Sequence, residues 1–148
     1  MTTPYITVSE ATAILNERLN IDVWTTAIYA DKGRALNMAT QVINRFNYIS
    51  EKYDSTQTNE FPRLDNLIPD EIKLACSLIA MALLDNVDPE LEKVNLSVTG
   101  RSFSDGKTTY DRAFVPEHFA HGVPSAEAWS LLNKYMRDSK LVRVSRVS

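Results

Sequence analysis

A chain of 148 residues is long enough for one domain with a hydrophobic core and too short for two comfortable ones. Its net charge of −3, with 44% hydrophobic residues, is typical of a globular protein without overall electrostatic attraction to nucleic acid or membranes. The single cysteine, Cys76, excludes a disulfide framework and a thiolate metal cluster. The longest apolar stretch, IKLACSLIAMALL, is too short to cross a bilayer, and no signal sequence opens the chain, so we expect a cytosolic protein.

Capping residues and apolar spacing predict two helices in the first third of the chain. Thr7 and Glu10 form a capping box that opens the first helix. Trp24, in the connector that follows, is expected to fill part of the core. Asp31 then caps a second helix, whose apolar residues recur at three- and four-residue spacing as far as Phe46.

A polar loop, SEKYDSTQTNE, follows the second helix and leads into Phe61-Pro62-Arg63. We expect Phe61 to anchor this loop on the core, Pro62 to fix its exit direction and Arg63 to pair with a carboxylate. Together with Gln57, these residues form the predicted loop anchor.

Two further helices complete the predicted bundle. Pro69 suits the first turn of a third helix, about residues 69–86, which is apolar on nearly every face and should be buried on all sides. Ser125 opens the last helix, with Trp129 and Leu132 on its apolar face.

Residues 91–114 predict a β-hairpin insertion. KVNLSV alternates like a strand, and Asp105-Gly106 is the strongest hairpin-turn signal in the chain. We expect the hairpin to project from the helical body toward a partner. The residues of this predicted interface are Phe103, Asp105, Gly106, Lys107 and Tyr110.

A basic segment ends the chain. Residues 138–148 alternate like a strand, and the last twelve residues carry four cations against one acid. The candidate docking residues of this tail are Lys140, Leu141, Val142, Arg143, Val144, Arg146 and Val147. The sequence therefore predicts a mostly α fold, a bundle of about four helices over residues 1–137 with the hairpin inserted, and an extended tail over residues 138–148.

The segment from Gly100 to Gly106-Lys107-Thr108 resembles a nucleotide-binding phosphate loop, but three features oppose that interpretation. Five residues separate Gly100 from the Gly-Lys pair, where the phosphate loop has four. The carboxylate of Asp105 would face the phosphates, and no helix follows to receive them. We therefore favour the hairpin.

No group of residues predicts catalysis. His118 and His121 are spaced as H-x-x-H without a third histidine or cysteine nearby, so two polar loop residues are the better interpretation. Cys76 lies in the most apolar helix and is expected to be an inert packing thiol. We predict no catalytic, cofactor-binding or metal-binding residue, and a protein that is not an enzyme.

Single-stranded DNA binding is the alternative that the residues leave open, because it needs aromatic and basic side chains interleaved along a groove. The best candidate cluster consists of Arg45, Phe46, Tyr48, Lys52 and Tyr53. Against it, Phe46 lies on the apolar stripe of the second helix, and Glu51 and Asp54 dilute the positive charge.

The order and spacing of several short pieces resemble the head–tail connector (adaptor) proteins of tailed bacteriophages. The resemblance covers nearly the whole chain, and no piece suffices alone. Its most specific pieces are Trp24, Ala35-Leu36 with Ala39-Thr40, Gln57 with Phe61-Pro62-Arg63, and Ile68-Pro69.

The resemblance implies a structural virion protein, made in the cytoplasm of a bacterial host, that forms a ring, commonly of twelve subunits. The ring would sit under the portal protein, extend the channel through which double-stranded DNA passes and offer a platform to the next neck or tail protein. In that setting the basic tail would dock on the portal, with Arg143 and Arg146 meeting acidic groups. No cofactor and no membrane contact are implied.

Overall fold

The computed structural model describes residues 2–101, 108–110 and 115–137, with segments 97–101 and 108–110 described by their backbone alone. Seven helices and two strands follow one another in this part of the chain. They are α1 (Val8–Asn16), α2 (Asp22–Thr26), α3 (Tyr29–Ile43), α4 (Asp70–Leu84), α5 (Pro89–Ser97), β1 (Val98–Arg101), β2 (Thr108–Tyr110), α6 (Glu117–Ala120) and α7 (Ala126–Asn133). The prediction of a mostly α fold is confirmed.

The core is built around α4, which packs against α1, α2, α3 and α7. From Ala75 to Ala80 every residue of α4 is buried, so the domain itself covers the helix that the sequence predicts to be apolar all round. The face of α3 that meets it carries Leu36, Ala39 and Ile43, each at most 1% exposed. None of the helices in the described segments is long and apolar enough to cross a membrane.

The first helix begins as its capping box predicts. The Thr7 hydroxyl accepts a hydrogen bond from the backbone N–H of Glu10 at 3.2 Å, and the Glu10 carboxylate accepts one from the backbone N–H of Thr7 at 3.0 Å. The second predicted helix, α3, begins two residues before Asp31, which is therefore not its cap. Asp31 instead lies in the first turn, where a carboxylate is stabilised by the helix dipole, and pairs with Arg34 at 2.7 Å.

The extended conformation predicted for KVNLSV is wrong for all but its last residue, because residues 93–97 lie in α5 and Val98 begins β1. The Asp88 carboxylate accepts from the backbone N–H of Glu90 at 3.0 Å, and Pro89 occupies the first helical position, so strong local start signals outweigh a weak alternation. Strand β1 pairs antiparallel with β2, with Arg101 opposite Thr108.

Several predicted residues lie outside the described part of the chain. They are Phe103, Asp105, Gly106 and Lys107 of the hairpin interface, and Lys140, Leu141, Val142, Arg143, Val144, Arg146 and Val147 of the tail. Tyr110 is described by its backbone, which pairs with Val98.

Cys76 lies at the centre of the α3–α4 contact and is fully buried. Its sulfur is 3.6 Å from the Thr40 hydroxyl, and burial raises the pKa of the thiol to about 11. A thiol with this pKa is almost entirely protonated at neutral pH, and the thiolate is the reactive form.

We therefore expect Cys76 to react with a thiol-specific dye at pH 7 only when the protein unfolds. The labelling rate should be very low in buffer and should rise steeply across the urea unfolding transition. A control in which free cysteine is labelled under the same conditions corrects for the effect of urea on the dye. Rapid labelling of the folded chain would show that the α3–α4 contact opens readily.

Candidate functional site

The loop between α3 and α4 is held by the ring of Phe61, which is 3% exposed. This ring meets three tyrosine rings in edge-on geometry, with centroid distances of 4.7 Å to Tyr48, 5.8 Å to Tyr135 and 6.0 Å to Tyr5. Aromatic pairs in this geometry add to the free energy gained by burying the rings. The role of Phe61 is therefore packing.

Gln57 and Arg63 tie the same loop to itself. The Gln57 side-chain amide donates to the backbone carbonyls of Asn59 at 2.9 Å and Pro62 at 2.8 Å. The peptide bond before Pro62 is cis. Arg63 donates to the carbonyl of Ile49 at 3.0 Å and pairs with a carboxylate, that of Glu60, at 2.8 Å.

The Tyr5 hydroxyl connects the N-terminal segment to this loop. It accepts hydrogen bonds from the backbone N–H groups of Glu60 at 3.1 Å and Phe61 at 3.2 Å, and it donates to the side-chain oxygen of Asn44. Burial raises the pKa of Tyr5 well above its usual range, so the hydroxyl stays protonated. The Tyr5 hydroxyl and the loop anchor therefore form a structural hydrogen-bond network.

The two histidines do not form a metal site with neighbouring ligands. His118 places its Nδ1 atom 2.9 Å from the carbonyl of Val123, and His121 stacks on Trp129. Among the described residues, no group of three or more histidine, cysteine, aspartate or glutamate side chains could hold a metal ion.

The cluster that the sequence offers for single-stranded DNA is divided by the fold. Tyr48 is 2% exposed and donates its hydroxyl to the carbonyl of Ile43 at 2.6 Å, while Lys52 lies 3.6 Å from the carboxylate of Glu60. Tyr53 is 54% exposed, but the cation next to it in sequence, Lys52, is only partly exposed. Arg45 and Phe46 remain, in the turn that ends α3.

An aromatic stack stands beside this turn. The ring of Phe46 meets the ring of Trp129, on α7, edge-on at 5.5 Å. His121, at the end of α6, lies parallel to Trp129, with an interplanar angle of 10° and a centroid distance of 4.5 Å. Trp129 is 9% exposed whereas His121 is exposed, so the stack presents an imidazole ring to solvent.

Two exposed arginines, Arg45 and Arg137, have their backbones close to the stack. The peptide of Gly122, which follows His121, approaches Arg45 so closely that a Cβ on Gly122 would lie 3.8 Å from the guanidinium. Gly122 has a φ of 77°, a backbone conformation that glycine adopts without strain. Arg137 follows α7, and its backbone N–H donates to the carbonyl of Asn47 at 3.1 Å. We call this surface, composed of Arg45, Phe46, His121, Trp129 and Arg137, the Arg45 face.

The cations of the Arg45 face differ from most other cations in the described part of the chain, which pair with an acid there. Neither Arg45 nor Arg137 forms an ion pair with any residue that the structure describes. The ion pairs in that part of the chain are Arg18–Glu127, Arg34–Asp31, Lys52–Glu60, Arg63–Glu60, Lys73–Glu10 and Lys134–Glu71. An unpaired arginine beside an exposed aromatic ring can bind a phosphate while the ring stacks on a base.

Sequence reasoning found only part of this surface. It singled out Arg45 and Phe46, considered His121 as a metal ligand and assigned Trp129 to the core, and it did not consider Arg137 with them. The available signal was the presence of His121 and Trp129 in the last part of the chain, but only the fold brings them to the end of α3.

Comparison with known proteins adds a family. A family model described as "Putative DnaT-like ssDNA binding protein" matches residues 3–113. No curated protein and no solved structure matches the chain.

The match corrects the interpretation as a bacteriophage head–tail connector, because the matching family is described by single-stranded DNA binding. That resemblance implied a ring docked on the portal, with the portal, neck and tail proteins as partners. These inferences are wrong as well. The family description favours the alternative that the residues left open.

Proposed function

The chain belongs to the family of DnaT-like ssDNA-binding proteins, and from this premise we propose that it binds single-stranded DNA through the Arg45 face. The observation that carries the proposal is the position of Arg45, an exposed cation without an acidic partner among the described residues, beside the Phe46–Trp129–His121 stack. Arg45 and Phe46 lie within the matched residues 3–113, and the rest of the stack lies beyond them.

The Arg45 face offers both parts of a binding site for a single strand. Arg45 and Arg137 can each bind a phosphate, and the two residues are linked through the segment Phe46–Asn47. His121 has one ring face covered by Trp129 and is exposed to solvent, so its other face can receive a base. Stacking on an aromatic ring tolerates any base, because every base has a π-face.

Because the net charge of the chain is −3, electrostatic attraction to DNA should be confined to the Arg45 face. Two phosphate contacts to a single strand predict that the logarithm of the affinity falls with the logarithm of the salt concentration with a slope of about −1.4. This slope is shallow compared with that of strongly basic DNA-binding proteins, so the binding should be weak and easily reversed by salt.

The proposal assigns no catalytic step to the protein. The only thiol, that of Cys76, is buried with a raised pKa, which opposes a role as nucleophile. The aromatic and basic groups of the Arg45 face bind and orient a strand without breaking a bond in it.

The predicted hairpin around Asp105-Gly106 is retained as part of the proposal. It is supported by the antiparallel register of β1 and β2, in which Val98 lies opposite Tyr110. Both strands fall within the matched residues 3–113.

Fluorescence anisotropy of a labelled single-stranded oligonucleotide tests the function. We expect the chain to bind the strand at low salt and to bind a duplex of the same sequence more weakly, because paired bases cannot stack on His121. Arg45→Ala should weaken binding and make the slope with salt shallower by about 0.7.

Arg34→Ala is the matched control, because Arg34 is an exposed arginine on α3 that pairs with Asp31 and lies outside the Arg45 face. It should leave affinity and salt slope close to those of the parent chain. Absence of binding to any single strand at low salt would contradict the proposed function. Equal effects of Arg45→Ala and Arg34→Ala would place the binding surface elsewhere.

A further inference from the structure

A cleft of about 640 Å³ adjoins the Arg45 face, with which it shares Arg45. It lies between α3, the connection from α4 to α5, and the segment Gly122–Pro124. Its volume is in the range of clefts that bind small organic molecules. Met38 and Leu91, both more than half exposed, stand in its walls with Val42 and Leu83.

Besides Arg45, three exposed polar side chains in this cleft have no partner among the described residues. They are Gln41, Asn86 and Glu90, which make no side-chain hydrogen bond or ion pair there. The Asp88 carboxylate also lines the cleft but is engaged, because it accepts from the backbone N–H groups of Glu90 at 3.0 Å and Leu91 at 3.4 Å. The free groups other than Arg45 are thus two amides and one carboxylate, beside apolar walls.

The charges in the cleft determine how a nucleotide would enter it. Arg45, which also lines the cleft, attracts a phosphate, whereas the carboxylates of Asp88 and Glu90 repel one. A strand bound at Arg45 would therefore keep its backbone on the arginine side and direct a base between Met38 and Leu91.

The free carboxylate distinguishes among the bases. Glu90 can accept a hydrogen bond from the exocyclic amino group of cytosine or adenine, and the amides of Gln41 and Asn86 can pair with an adenine edge. Thymine has no amino group, and its ring donor, N3–H, lies between two carbonyl oxygens that a carboxylate repels, so its edge is a poorer partner for Glu90. We propose that this cleft receives one base of the bound strand and prefers amino-bearing bases over thymine, an inference that rests on the proposed binding of single-stranded DNA.

Oligonucleotides of deoxycytidine and of thymidine, equal in length, provide the test. Both bases are single rings. They differ in the amino group, at N3 and in the C5-methyl group of thymine, and the methyl group adds apolar contact and so does not favour the cytosine strand. At neutral pH we expect the full chain to bind the cytosine strand about fivefold or more tighter than the thymine strand. Glu90→Gln should bring this ratio toward one, because an amide can also donate to a thymine carbonyl.

Glu92→Gln is the matched control, because Glu92 also lies on α5 and does not line the cleft. The replacement makes the same change in net charge as Glu90→Gln. It should leave the ratio of the two affinities unchanged. Thermal unfolding shows whether each variant is folded, and the affinity ratio is compared only between folded proteins. Both strands are measured on the same preparation of each variant.

The outcomes separate the two proposals. If the parent chain binds neither strand, the proposed function is wrong and the cleft has no strand to receive. If it binds both strands equally, or if Glu90→Gln and Glu92→Gln change the ratio alike, single-strand binding stands and the base preference is wrong.

Discussion

Replacing Phe61 by alanine should lower the free energy of unfolding by about 3–5 kcal/mol. The ring is 3% exposed and contacts the rings of Tyr5, Tyr48 and Tyr135, so its removal leaves a cavity where the loop meets the core. Urea unfolding followed by circular dichroism measures the change. A loss of this size is a large part of the stability of an ordinary domain, so the variant is best prepared at low temperature to keep it folded.

Leu64→Ala is the control for Phe61→Ala, because Leu64 belongs to the same loop and is 87% exposed. Its effect should stay within about 0.5 kcal/mol. If Phe61→Ala lowered the free energy of unfolding no more than this control, Phe61 would not be the residue that anchors the loop on the core.

Replacing Trp24 by alanine should also cost about 3–5 kcal/mol. Trp24 is fully buried although α2, which carries it, has five residues, so the short helix is fixed largely by this side chain. Its indole N–H donates to the Thr12 hydroxyl at 3.1 Å, and the Lys32 ammonium lies 5.5 Å from the ring centroid. Urea unfolding of the variant measures the loss.

Trp24→Phe separates packing from hydrogen bonding. Phenylalanine retains much of the buried apolar area and loses the indole N–H, while the Thr12 hydroxyl keeps its bond to the carbonyl of Val8 at 2.7 Å. We expect a loss well below that of Trp24→Ala. Equal losses in the two variants would show that the indole hydrogen bond, and not the buried ring, holds α2 in place.

The sequence was sufficient for α1, α3 and α4 because their apolar periodicity is clear, although the cap predicted for α3 was wrong. The box of Thr7 and Glu10 gives the start of α1, and the apolar pattern of α4 gives its burial. The prediction failed for α5, where Asp88 and Pro89 favour a helix while KVNLSV also alternates like a strand. It missed α2 and α6, which have five and four residues and are too short to develop a period.

The candidate site was harder to predict because it depends on tertiary contacts. Arg45 and Phe46 are adjacent in sequence, but the stack with Trp129 and His121 joins the end of α3 to α6 and α7. The resemblance to connectors relied on residues such as Trp24 and Phe61, which the fold uses for packing. Packing residues report a fold, and one fold can carry several functions.

The Tyr5 hydroxyl makes the beginning of the chain and the α3–α4 loop a single cooperative unit. The loop amide of Phe61 is hydrogen-bonded to a side chain 56 residues earlier, and Asn59 donates to the carbonyl of Thr3 at 2.7 Å. The backbone N–H of Tyr5 is in turn bonded to Thr40, on α3. Terminal residues usually fray at little cost in free energy. Here each fraying event would also release the amide of Phe61 to solvent, so its hydrogen exchange should follow the opening of the N-terminus.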